Sequence, residues 1–133
     1  MSEVARQIEE CMFELTEVDE SEVVARFLFP AGFIGFQGHF PERPVLPAVC
    51  KIQAAVAVLE AWRRGKVRLN EIISAKFSAP VGSDEEVALR CSVVMEDVHR
   101  ALVKATVARN GEGVAKFKLR VTFGAEEQGS AWR

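Results

Sequence analysis

An α+β domain, with about six antiparallel strands curved around one long buried helix, is the fold class this sequence predicts. Three observations carry it. Six segments alternate apolar and polar residues or are rich in Val, Ile and Phe. One segment of helical composition is apolar on almost its whole circumference, and such a helix is buried. The joints between strands are short and made of turn formers, which favours antiparallel neighbours.

The chain has 133 residues, enough for one domain with a core of its own. Nineteen acidic against seventeen basic residues leave a net charge of −2, which speaks against nucleic-acid or anionic-membrane binding. No apolar run reaches membrane-spanning length, and the acidic first dozen residues do not read as a secretory signal. Three scattered cysteines, Cys11, Cys50 and Cys91, fit reduced thiols and a cytoplasmic location. Two histidines without Cys or His neighbours at ligand spacing suggest no metal, and no motif calls for a cofactor.

In chain order, residues 2–11 carry a brief amphipathic pattern through Val4, Ile8 and Cys11 that fits a short helix. Residues 12–18 and 22–29 alternate about a turn at Asp19-Glu20-Ser21 and read as a hairpin. Residues 30–47 hold four prolines and three glycines and cannot be regular structure. A loop this long in a small domain is usually functional. Residues 47–64 form the helix, with Pro47 at its first position, Arg63 and Arg64 in the last turn and Gly65 at the stop. Four strands follow over 70–78, 87–95, 101–110 and 113–123, the last two joined at Asn110-Gly111. The domain is expected to end at 123, with 124–133 a tail. One such sheet leaves an open edge, so a dimer that continues the sheet is expected.

The chemistry concentrates in FQGHFPERPVLPAV, residues 36–49. His39 lies in apolar company, which disfavours its charged form and suits a base. The helix start offers the unpaired amides of Ala48 and Val49 to a developing oxyanion. A base beside an amide donor is what proton removal next to a carbonyl needs. An isolated histidine is nevertheless more often structural than catalytic.

The segment GHFPERPVLPAV resembles the GHFPxxPVxPG signature of bacterial 3-hydroxyacyl-(acyl carrier protein) dehydratases, a hot-dog fold family, and KFSAPVGSDEEVAL is similar to that family's strand–PVxPGD–strand segment. With the element order, the resemblance covers most of 12–123. It implies that His39 is the base taking the α-proton, that the Val45 carbonyl fixes its tautomer, and that the Ala48 amide binds the thioester carbonyl. Val49, Phe36 and Phe40 would border the substrate. It further implies a homodimer with the site at the subunit interface, and an acyl carrier protein or CoA thioester as substrate. The pattern departs at the acid: the family carries Asp or Glu fourteen residues after the histidine, where this chain has Gln53. An amide can hold a hydroxyl or a water but is not a useful general acid. Three readings follow: a dehydratase-like lyase of fatty-acid or related acyl-chain biosynthesis, an acyl thioesterase in which Gln53 orients water, or a non-catalytic carrier-binding subunit or inactive partner in a heterodimer.

Overall fold

The computed structural model describes residues 2–37 and 44–124. Six strands form one antiparallel sheet: β1 (Met12–Asp19), β2 (Glu22–Leu28), β3 (Val67–Phe77), β4 (Glu86–Met95), β5 (Arg100–Arg109) and β6 (Glu112–Phe123). Their order across the sheet is β1-β2-β4-β5-β6-β3, so β1 and β3 are the edges. Period-two alternation sends Val23, Ala25 and Phe27 of β2, Leu89 and Cys91 of β4, Val103 and Val107 of β5, and Leu119 and Val121 of β6 to one buried face.

The described residues hold two α-helices, where the sequence predicted one long central helix and only a brief amphipathic one at 2–11. The first, α1 (Glu3–Cys11), starts at Ser2, whose hydroxyl accepts from the Ala5 amide at 3.0 Å, and buries Ile8 completely. The second, α2 (Ala48–Arg63), buries an almost unbroken run from Cys50 to Leu59, in keeping with its apolar circumference. Pro47 is its N-cap rather than its first helical residue, and Arg64, not Gly65, takes the left-handed position at its end.

The predicted loop 30–47 contains one short regular piece, a 3₁₀ turn over Ile34–Phe36. Stacked aromatic rings lead into it. Phe27 and Phe29 lie 5.6 Å apart, Phe29 and Phe33 5.0 Å, and Phe33 meets Phe36 edge-on at 5.6 Å. Gly35 is required by that packing, since a Cβ there would lie 2.4 Å from the Phe33 ring and 3.0 Å from the Cys50 sulfur. The Gln7 side-chain carbonyl accepts from the Ile34 amide at 2.9 Å, so α1 braces the turn from outside. The predicted hairpin at Asn110-Gly111 is present, with φ of 53° and 79°, the pair of positive values a two-residue hairpin turn demands. β3 begins three residues earlier than its composition predicts. The Glu60 carboxylate reaches back from α2 to accept the Val67 amide at 3.1 Å, which ties down its first residue.

Candidate active site

The described part of the candidate site is built on the start of α2. The segment that enters the helix, residues 44–47, is pinned by one short backbone bond, Leu46 N–H to the Val81 carbonyl at 2.7 Å, with both side chains buried. The turn carrying Val81 is itself fixed. The Glu85 carboxylate accepts the Gly82 amide at 2.7 Å, and Arg109 donates to the Pro80 carbonyl. A chain end held this firmly presents the first turn of α2 at a defined angle.

No side chain caps that turn. The carbonyl of Pro47 accepts the amides of Cys50 and Lys51, at 3.0 and 3.3 Å, and the amides of Ala48 and Val49 find no acceptor among the described residues. Free amides at a helix N-terminus favour negative charge. A pocket of about 430 Å³ opens here, lined by Val45, Pro47, Ala48, Lys51, Phe77 and Pro80 among others. Val45 and Ala48 are therefore brought together as neighbours of one cavity.

The other candidate residues lie elsewhere. His39 and Phe40 fall in 38–43, outside the described residues, as do Glu42 and Arg43, and of the expected tail only Gly124 is described. Phe36 is buried at the end of the aromatic stack, packed as core. Val49 is 69% exposed on the side of the helix away from the core. Gln53 borders a separate, smaller pocket with Ala57 and Glu60 of its own helix and Ala5 and Glu9 of α1. A helix turns about 100° per residue, so Gln53 is about 140° around from Ala48 and cannot share its cavity within one protomer.

Sequence reasoning passed over Lys51. It is the one polar or charged side chain classed as buried among the described residues, at 5% exposure. Its ammonium stands 5.3 Å from the centre of the Phe77 ring. Burial, with the nearby Arg109 charge, holds its pKa below the ordinary lysine value. The available signal was a lone lysine between Cys50 and Ile52, one turn beyond Ala48, in a helix otherwise apolar at that level. Cys50, its neighbour, is buried and its thiol is pushed up, which makes it a packing residue rather than a nucleophile.

Residues 15–118 match the ApeI-like family, described as ApeI dehydratase. The chain belongs to that family. Among the relatives of this ApeI-like chain is the 3-hydroxyacyl-(acyl-carrier-protein) dehydratase FabZ of Aeromonas hydrophila, 32% identical over an alignment of 93 residues, in a match that covers 63% of this chain and 61% of that protein. The match thus spans about three fifths of the Aeromonas protein's length. FabZ of Caldanaerobacter subterraneus is 32% identical over 100 residues, 69% of this chain and 70% of that protein. Among solved structures, the dehydratase heterocomplex ApeI:P from Xenorhabdus doucetiae shares the fold with a TM-score of 0.69, covering 84% of this chain and 96% of that one at 17% identity. No described helix of this ApeI-like chain is long and apolar enough to cross a membrane.

Proposed function

We propose that the chain is a 3-hydroxyacyl thioester dehydratase of acyl-chain biosynthesis, acting in the cytoplasm on a substrate carried by acyl carrier protein or CoA. The observation that carries this reading is the uncapped start of α2. The Ala48 amide opens into an apolar pocket directly after the HFPERPV segment that the chain shares in pattern with dehydratases. His39 takes the proton from the carbon next to the thioester carbonyl, with the Val45 carbonyl holding its tautomer. The electron pair moves onto the carbonyl oxygen, which accepts from the Ala48 amide. The hydroxyl on the next carbon then leaves as water with the proton that His39 has taken, which returns His39 to its neutral form, while Gln53 holds that hydroxyl without supplying the proton. Phe36, Phe40 and Val49 shape the surroundings of the acyl chain.

The functional unit in this reading is a homodimer joined along β3, with Gln53 of each protomer turned to the other's loop. Two features support that edge. Ile72 and Phe77 pair with Leu119 and Ala115 and so share their buried face, yet they remain 48% and 39% exposed. The stretch Ile72-Ile73-Ser74-Ala75 also lacks the charges that protect β1, where Glu14, Glu17 and Asp19 stand on the edge.

The test is hydration of a trans-2-enoyl thioester, the reverse reaction, followed by loss of enoyl absorbance. Wild type turns over and His39→Ala does not. Equal rates would remove the reading. Gln53 at the acid position favours a second reading, an inactive protomer paired with an acid-bearing paralogue, and the structurally similar ApeI:P assembly is a heterocomplex. Full turnover by the purified homodimer would reject it.

A further inference from the structure

Among the described residues Lys51 meets no carboxylate, and the favourable partner of its charge is the Phe77 ring. The groups facing it are few. From β3 it meets the Phe77 ring. From β5 it feels Arg109, which repels it, and from its own helix the Cys50 thiol. The Glu85 carboxylate, which lies 3.3 Å from that Arg109 guanidinium, accepts the Gly82 amide. The Lys51 ammonium makes no hydrogen bond or ion pair with the described residues. Burying an unpaired ammonium is costly, and packing alone would be better served by an apolar side chain of the same length.

Lys51, one turn after Ala48, lines the same pocket as Pro47, Ala48 and Phe77, and helical side chains lean back over the turn before them, which brings its charge to the side of the helix start. A positive side chain at a helix N-terminus also opposes the helix dipole. Two unfavourable placements of positive charge thus converge on one pocket, and one ligand charge would relieve both.

We propose that Lys51 and the uncapped start of α2 form a single site for negative charge. On the dehydratase reading, on which this assignment rests, the charge it meets is the enolate oxygen of the substrate thioester. No proton passes through Lys51. The base removes the α-proton, the electron pair rests on the carbonyl oxygen between the Ala48 amide and the Lys51 ammonium, and it returns to form the carbon–carbon double bond as the hydroxyl leaves, protonated to water by the base's captured proton. With Gln53 in place of a carboxyl, the stabilisation of this intermediate moves to the carbonyl end.

The experiment uses acetoacetyl-pantetheine, a 3-oxoacyl thioester whose enolate is visible by ultraviolet absorbance and which needs no dehydration step. Wild type raises the enolate fraction of the bound probe at fixed pH by about tenfold or more over Lys51→Met, and Lys51→Gln lies near Lys51→Met. Hydration of the enoyl thioester falls by about 10²–10³ in kcat with KM little changed, the effect of losing one oxyanion donor. Thermal unfolding of Lys51→Met stays at or above wild type, because an apolar chain replaces a buried charge. Equal enolate fractions in wild type and both folded variants would overturn the assignment, as would no enrichment in wild type. If wild type hydrates nothing, the dehydratase reading fails by itself, and the enolate measurement still decides the role of Lys51.

Discussion

Changing Ile72 to lysine should weaken self-association by about thirtyfold, and the figure comes from where Ile72 sits. It pairs with Leu119, whose side chain is completely buried, so both point to the core face of the sheet. Ile72 keeps 48% of its surface exposed, because β3 is the last strand and no further strand lies beside it. Burying an isoleucine fully is worth about 1.5–3 kcal/mol, so covering the remaining half contributes about 1 kcal/mol. A two-fold interface uses each residue twice, giving about 2 kcal/mol, or about thirtyfold in Kd. Introducing two ammonium groups into the covered face adds to this. Sedimentation velocity over a protein dilution series reads the dissociation constant directly. Enoyl-hydration activity per protomer should decline over the same concentrations, since in the proposed dimer each site is completed by the other subunit. A variant that dimerises as tightly as wild type, or a wild type that is monomeric at micromolar concentration, would refute the placement of the interface along β3.

Gln53→Glu restores a carboxyl at the acid position, and a positioned acid is worth about 10²–10⁴-fold, so kcat for hydration should rise within that range. A rate equal to or below wild type would show that Gln53 does not face the leaving group. Gly35→Ala forces a methyl to within 2.4 Å of the Phe33 ring, with the Cys50 sulfur closing the other side. Overpacking of this kind costs about 1–3 kcal/mol by urea denaturation, and a neutral result would mean that the aromatic stack yields freely. Burial pushes the Cys91 thiol up to about 12, whereas an unfolded cysteine ionises near about 8.5. The folded pKa is the higher one, so this contribution to stability is complete below about 8.5 and is lost as pH rises toward 12. Comparing urea midpoints at neutral and alkaline pH should show a smaller alkaline loss in Cys91→Ala than in wild type, and parallel curves would contradict the burial of that thiol.

Local chemistry made most of the elements legible. Alternation in β2, β4 and β5 specifies which side chains enter the core, and Asn110-Gly111 adopts the two positive φ values that its residue types tolerate best. The misses have long-range causes. The start of β3 depends on Glu60, seven residues back on another element, and no window of strand composition contains that bond. The importance of α1 was hidden for the same reason. Nine residues with a short apolar pattern say little, but one Gln7 hydrogen bond to Ile34 and the complete burial of Ile8 make it a brace for the turn leading into the site.

Lys51 shows a different limit. Periodicity reports the face of a helix on which a residue lies, not the depth of what covers it, so a lysine reads as a polar break whether it is solvated or enclosed. The sequence pattern directed attention to position 53, where a carboxyl is missing, while the unusual charge lies two residues earlier and about 200° around the helix. In the proposed reaction those two positions address different ends of the substrate. Ala48 and Lys51 border the cavity assigned to the carbonyl, and Gln53 looks toward α1 and the open side of the protomer. A site that lost its acid at one end and gained a buried cation at the other would still remove an α-proton readily, because the enolate is held, but would expel hydroxide slowly. Exchange of the α-proton with solvent should therefore outpace dehydration in wild type, and Gln53→Glu should bring the two rates together. Exchange slower than dehydration would contradict that division of labour.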